Sequence, residues 1–519
     1  MAEKSWGGFA MSTNSHNSVF WRRITLGFML LGFAFCSGLF ALRSGVRGES
    51  IADSNAIPAT EKPLPKLYFG SKACASAGCH EKGPVVDPSL LCRGDELDRF
   101  MANDRHADAY NAMTGQLGRD ILRRLNLGAP QTATACLACH AVNIEKGANK
   151  HESFELEEGV GCVVCHGAHE RWVGAHSLVI SRTAFRILPR EAKESDYGMT
   201  DLWDPGKRTA LCVSCHVGNH EQGKFVTHEM YAAGHPPLQG FEVASWSNQM
   251  PRHWQLLREK PKAIQKIQGH NSSVREESQL MLIGSAITLR ESMRLLANQA
   301  KVAAINGEML DWALFDCYAC HHSLVTPSWR QNQSHNGKPG RIPLKTWPFV
   351  LPGVGEKLMG SKEELDDLKR ELENATHSRP FGDVKKMQMA SEKIARWADK
   401  SAKTLASQTM DQKTGSNLGT ELEKIWQRPP RDFDSARQTG WAHLAFLSDE
   451  VALGRSTKKE WVKFLEGNES GLDLIRKPGR GPRPASGEGS NSNPKGSPQD
   501  NFHPDRFMGR LKSILQEGK

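Results

Sequence analysis

Cys136-Leu-Ala-Cys139-His140 and Gly159-Val-Gly-Cys162-Val-Val-Cys165-His166-Gly167, closing on Trp172-Val-Gly-Ala-His176, form the stretch on which the reading of this chain turns. Each of the first two segments contains C-x-x-C-H, the pattern that attaches c-type haem covalently. Both thiols add to vinyl groups on one edge of the porphyrin, and the adjacent His then reaches the iron from the proximal side. Zinc is the competing reading, because two C-x-x-C pairs can close a four-thiolate site. The repetition of His directly after the second Cys, at Cys212-Val-Ser-Cys215-His216 and Cys317-Tyr-Ala-Cys320-His321, argues against it. With 12 Cys and 20 His in 519 residues, chance placement yields on the order of one hundredth of such a match. Four matches therefore decide for haem.

The chain is long enough for two or three domains, yet only 39% of it is hydrophobic. Porphyrin faces supply apolar surface, so a haem-packed core needs fewer apolar side chains and little sheet. The formal charge of +9 is no sign of nucleic-acid binding, since each haem brings about two propionate charges and five haems would cancel it. The expected fold is mainly α with extensive irregular loops, built around a haem cluster and followed by a C-terminal helical region.

Ile24 to Leu42 is a run of 19 uncharged residues, preceded by Arg22 and Arg23 and followed by Arg43 and Arg47. Its length lies between a long signal-peptide core and a short transmembrane helix. An uncleaved anchor with residues 1–23 in the cytoplasm is the favoured reading, and a cleaved signal is the alternative. Both export the chain. Attachment of haem to C-x-x-C-H in bacteria also takes place outside the inner membrane, so the haem domain is expected in the periplasm. Residues 43–66, with Pro58, Pro63 and Pro65, suit an extended tether.

Next comes Tyr68-Phe-Gly-Ser-Lys-Ala-Cys74-Ala-Ser-Ala-Gly-Cys79-His80. The extra residues of this C-x4-C-H can bulge between two thioether bonds, and a Cys74–Cys79 disulfide is the competing reading. Cys92 is then the odd thiol, expected to be an inert buried residue. With five irons each in want of a second axial ligand, distal candidates are His106 in Arg105-His-Ala-Asp-Ala-Tyr110, His176, and His228 and His235 in Thr227-His-Glu-Met-Tyr-Ala-Ala-Gly-His235. His151, His169, His220, His253 and His322 are weaker candidates.

The order C-x-x-C-H (here widened to C-x4-C-H), H-A-x-A, C-x-x-C-H, G-V-G-C-x-x-C-H-G, a His soon after, C-x-x-C-H and a downstream H-E resembles the cytochrome c-554 family. These are multihaem electron carriers related in haem arrangement to hydroxylamine oxidoreductase. The resemblance covers about Tyr68 to Glu242, and the G-V-G-C-x-x-C-H-G segment is its most specific part. It implies crossed ligation: His80 with His176, His166 with His106, and His216 with His228. It further implies that the second haem, here on His140, can lack a distal protein ligand. The widened first motif and the fifth motif at Cys317 to His321 depart from the family pattern. His235 remains a candidate cap for either the fifth or the second haem.

The pentahaem domain is thus expected over residues 67–330. Pro251 to Gln299 reads as predominantly helical, with Leu280, Ile283, Ile287 and Leu296 near helical spacing. A connector follows at 331–360, then a helical region over 361–476 with segments at about Ser361 to Glu373, Phe381 to Ser407 and Phe433 to Leu453. These helices either dock a partner or pack on the haem domain, the latter being the simpler reading. Residues 477–502 have a disordered composition, and a short amphipathic helix at Arg506 to Leu515 would dock on a partner or fray.

Closely spaced bis-His haems exchange electrons and leave iron no open position. The first functional expectation is therefore a membrane-anchored carrier relaying electrons between a redox partner protein or quinol-linked membrane complex and an acceptor. The second is an oxidoreductase acting on a small nitrogen or sulfur compound at an open His140 haem. The third is an electron-delivery subunit docked through its C-terminal helices. No C-x-x-C-K occurs, so a lysine-ligated catalytic haem is not indicated. Tyr231 and Tyr318 lie near haem segments without marking a cross-linked one.

Overall fold

The computed structural model describes residues 66–78, 80–81, 93–168, 170–267, 269–321, 340–360, 364–427, 430, 432–455, 459–467, 470–474, 502 and 504–517. All lie in the compact unit Leu64–Lys519; a second unit, Met1–Pro63, falls outside them. So do the expected anchor at 24–42, Cys79, Cys92, His169, His322 and nearly all of the expected disordered stretch. Among the described residues no helix is long and apolar enough to cross a membrane.

The fold is mainly α with irregular connections. Its strands pair as Leu67–Tyr68 and Asn149–Lys150, in parallel, with Leu67 opposite Asn149. The organising element is the 31-residue helix Glu276–Asn306, which ends on Gly307 in the left-handed conformation. It carries no proline, and its N-terminal half is dense in Leu, Met and Ile. Pro251 to Gln299 is predominantly helical as expected, with the long helix beginning at residue 276. Before it lie a short turn at Leu257–Glu259 and a short helix at Lys262–Ile267, because Pro251, Pro261 and Gly269 interrupt the backbone ladder.

The long helix is buried along its length because it serves both halves of the chain. Leu282, Ile283 and Ile287 join Val213 and Val243 from the haem-motif half to Leu351, Leu405, Leu418 and Ala442 from the C-terminal half. Further along, Leu289, Met293, Leu296 and Ala300 pack with Leu372, Met387, Ile394 and Ala398. The helices Glu364–His377, Val384–Ser407 and Phe433–Ala452 correspond to the three expected segments. A further helix at Gln412–Ile425 was not legible, its polar face masking Leu418 and Leu422. The last helix, Pro504–Glu517, puts Phe507, Met508 and Leu511 into a cluster with Trp426, Trp461 and Phe464. Its apolar face is thereby covered by its own chain.

A tertiary contact caps the start of the long helix. The backbone N–H groups of Glu277 and Ser278 donate to Asp449 Oδ1 and Oδ2 at 3.2 and 2.7 Å, satisfying donors that no local side chain reaches. Beside them buried Arg275 donates to Glu450 at 2.6 Å and to the Asp411 carbonyl at 2.5 Å. Glu277 itself accepts from Asn248 Nδ2 at 2.9 Å. Its carboxyl is pushed up to about 7, by burial first, with Asp449 and Glu242 adding to the effect.

Leu289 is fully buried, so Leu289→Ala is expected to cost about 2–5 kcal/mol, seen as a lower denaturation midpoint. For Glu277, the folded pKa lies above the unfolded value of about 4.3. The folded chain therefore holds a proton that the unfolded chain releases, and stability is lost as pH rises from about 4.3 towards 7. Glu277→Gln is expected to leave stability near pH 4 little changed and to raise it by about 1–3 kcal/mol at pH 8; melting temperatures at the two pH values test this.

Candidate haem centres

The attachment motifs lie on helical turns. Cys136, Cys139 and His140 end the helix Thr134–His140; Cys162, Cys165 and His166 form a helix of their own; Cys212, Cys215 and His216 end Pro205–His216. On such turns residues i, i+3 and i+4 share a face, which presents two thiols and an imidazole to one porphyrin. Cys317 lies on the turn Cys317–Ala319, and Cys74 on the turn Ser71–Gly78.

Two glycines explain why the third motif has the sequence Gly-Val-Gly-Cys to His-Gly. Gly159 has φ +69°, and a Cβ there would lie 2.4 Å from the His106 carbonyl oxygen. The next residue, Val160, donates its N–H to that same oxygen at 2.9 Å. Gly167 has φ +96°, and a Cβ there would lie 2.4 Å from the Gly198 carbonyl oxygen. The third motif is thus docked directly on the segment that carries His106.

Four pairs of imidazoles face one another. Ring centroids are 5.9 Å apart for His80 and His176, 6.2 Å for His106 and His216, 6.2 Å for His140 and His235, and 6.3 Å for His228 and His321. Two imidazoles on opposite faces of one iron, with bonds of about 2 Å and the ring centre about 1 Å behind each nitrogen, have centroids about 6 Å apart. Interplanar angles range from 17° for His80 and His176 to 85° for His106 and His216.

The far side of several rings is anchored. The Nδ1 atom of His80 donates to Glu96 at 2.9 Å, that of His106 to Asp104 at 2.9 Å, that of His140 to the Ala109 carbonyl at 2.8 Å, and that of His235 to the Pro236 carbonyl at 2.8 Å. A carbonyl oxygen can only accept, so Nδ1 carries the proton and Nε2 keeps its lone pair for a metal. Among the described residues no three His, Cys, Asp or Glu side chains converge to hold a metal ion. A haem iron needs only two protein ligands, because the porphyrin fills its other four positions. The pairs therefore fit haem.

Of the pairs implied by the family resemblance, His80 with His176 is together here. His106 faces His216 instead of His166, and His228 faces His321 instead of His216. The fifth motif accounts for the second difference. The N–H of His228 donates to Asp311, 2.9 Å away, on the loop leading into Cys317, and this contact holds the His228 helix beside that motif. The ring of His235 lies 6.2 Å from that of His140, the residue of the haem expected to be able to lack a distal ligand.

His166 is the exception among the proximal residues. Its ring lies 6.4 Å from that of Trp172, and among the described residues no imidazole stands about 6 Å across from it in the manner of the other pairs. Burial first, and then the charges of His253, His80 and His176, push its pKa down to about 4. The ring is therefore neutral at pH 7, as a metal ligand must be. His253 was only a weak candidate in the sequence; no motif surrounds it, and only its place in the fold brings it forward. The Nδ1 atom of His151 lies 2.8 Å from Ser153 Oγ and that of His220 lies 3.1 Å from Gln299 Nε2.

The centres also adjoin one another. The Cys74 thiol lies beside that of Cys162, and the Cys139 thiol beside that of Cys215. The first and third motifs thus share one edge, and the second and fourth another.

Residues 73–167 match the family model described as cytochrome c554 and c-prime. No curated protein and no solved structure matches the chain. The matched segment contains the H-A-x-A turn, two C-x-x-C-H turns and the Gly159 contact that joins the later of these to the H-A-x-A turn, and on that basis the chain is a c-type cytochrome of electron transfer, with covalently bound haem c, that resembles the cytochrome c554 family.

Proposed function

We propose that this protein is an extracytoplasmic relay of five covalently attached haems, anchored in the bacterial inner membrane through residues 24–42. It would pass electrons between a redox partner protein or quinol-linked membrane complex and an acceptor. Cys74 and Cys79, Cys136 and Cys139, Cys162 and Cys165, Cys212 and Cys215, and Cys317 and Cys320 attach the haems. His80, His140, His166, His216 and His321 are the proximal ligands. His176, His235, His106 and His228 cap the irons on His80, His140, His216 and His321 in turn.

The observation that carries this reading is the set of imidazole pairs with centroids 5.9 to 6.3 Å apart. When bound, haem supplies an iron that takes up and releases one electron. The paired imidazoles would hold that iron, and the packing of the chain around them would set its distance from the next. Anchoring Nδ1 on Glu96, Asp104 and the Ala109 carbonyl holds each ring on axis, so little reorganises when the charge changes. Apolar walls such as Phe241, which stacks on His216 at 5.3 Å, keep water from the ring.

A second reading, an oxidoreductase acting on a small nitrogen or sulfur compound, now attaches to the iron of His166 rather than that of His140. What favours it is the lack, among the described residues, of an imidazole facing His166 as His235 faces His140.

Replacing Cys74 and Cys79 together with Ala is expected to lower the pyridine haemochrome count from five to four, in line with five motifs; a wild-type count of four refutes haem at the first motif. His106→Ala is expected to generate a high-spin electron paramagnetic resonance signal and carbon monoxide binding. That signal is expected to vanish when Cys212 and Cys215 are also replaced, and its persistence in that background would reassign His106 to the His166 iron.

A further inference from the structure

The fifth motif lies outside the stretch that matches the cytochrome c554 family, and its surroundings differ from those of the other centres. Cys320 and His321 are exposed, whereas the other described motif cysteines and proximal histidines are partly buried. Before this motif the long helix and the loop after it turn a run of apolar side chains to solvent: Val302 is 37% exposed, Ile305 74%, Met309 46% and Trp312 47%. Trp312 adjoins the centre itself. Its ring is inclined at 61° to that of His228, the imidazole that faces His321, with centroids 5.3 Å apart, and it lies parallel to Phe381 at 6.2 Å. Asp311, the residue before it, accepts from the His228 N–H at 2.9 Å. A half-exposed tryptophan thus packs directly on a candidate axial imidazole.

The rim of this run is basic. Lys301 shares a helix face with Ile305, one turn further on. Met387 packs in the cluster that holds Ala303 and Leu310, which sets its neighbours Lys385 and Lys386 at the edge of the run. All three lysines are exposed, and none of their side chains has an ion-pair partner among the described residues. Arg379 pairs with Asp383 at 3.5 Å, and Glu308 is the one exposed carboxylate between Lys301 and Trp312. An apolar patch beside a redox centre, with excess positive charge on its rim, is complementary to an acidic partner: the rim steers the encounter, and an aromatic anchor supplies contact area.

We propose that the surface formed by Val302, Ile305, Met309 and Trp312, rimmed by Lys301, Lys385 and Lys386, is the docking face for an acidic one-electron redox protein that exchanges electrons with the iron on His321. This rests on the relay reading and names the place where the relay meets its partner. One electron leaves the partner's reduced centre, which is oxidised, and is taken up as ferric iron becomes ferrous, with no bond made or broken.

The test uses the purified holoprotein, with its haem content counted by pyridine haemochrome, and reduced plant-type ferredoxin, a small acidic iron–sulfur protein, as the probe. Stopped-flow absorption is expected to show a second-order reduction that slows as salt is raised. In the triple variant Lys301→Glu, Lys385→Glu, Lys386→Glu it is expected to be about tenfold slower or more, while dithionite still reduces every haem. Trp312→Ala is expected to slow it as well, and Trp312→Phe to restore it. The same charge change at Lys146, Lys266 and Lys413, exposed lysines elsewhere, is expected to have a much smaller effect. Reduction of the first triple variant at the wild-type rate, or equal slowing by the second, overturns the proposal. So does a ferredoxin rate that stays unchanged while the patch serves another occupant: a second copy, read as a dimer in sedimentation that Ile305→Asp dissolves, or a membrane, read as binding to anionic phospholipid vesicles that the first triple variant loses. A haem count unchanged by Cys317→Ala, Cys320→Ala would instead sink the haem reading at this motif. Calorimetric binding of oxidised ferredoxin, weakened or not by the first triple variant, then decides for or against the face.

Discussion

An iron fixed by two thioether bonds and an adjacent imidazole has little freedom, so its second ligand has to be delivered by another part of the chain to within a fraction of an ångström. Everything else in the fold serves that delivery. The devices are hydrogen bonds on the far side of each ring, and these also link one centre to another. His140 is held by the carbonyl of Ala109, three residues after His106, which faces His216. The carbonyl of His106 in turn receives Val160, which leads into the third motif. One short segment therefore sets the geometry of three centres, and a shift of its backbone would disturb them together.

The long helix gives this arrangement a rigid back. The helix that ends in the fourth motif packs on one part of it, and the C-terminal helices cover the rest. Because the same apolar face serves both halves, the chain after the last cysteine completes the core under the haem motifs instead of standing apart as a separate docking module.

Attachment chemistry was legible in the sequence because it is local: C-x-x-C-H spans five residues and admits few other readings. The mainly helical fold and the three C-terminal segments were legible from apolar spacing. Distal partners were only partly so. His80 lies beside His176 as the family order implies, whereas His106 lies beside His216 and His228 beside His321, the latter next to the Asp311 contact. Nothing within a few residues of a histidine records which iron it will face. His253 illustrates the limit, since the fold sets its charge against His166 and no motif around it announces this.

The cap that Asp449 places on the first turn of the long helix bears on the order of maturation. Synthesised from its N-terminus, the chain completes all its cysteine motifs before Asp449 is made, so the long helix at first lacks these terminal hydrogen bonds. Arrival of the last helices then completes the core beneath the motifs. The first turn of the long helix thus waits on a carboxylate far along the chain, and the C-terminal helices act as the clasp for the half that carries the motifs.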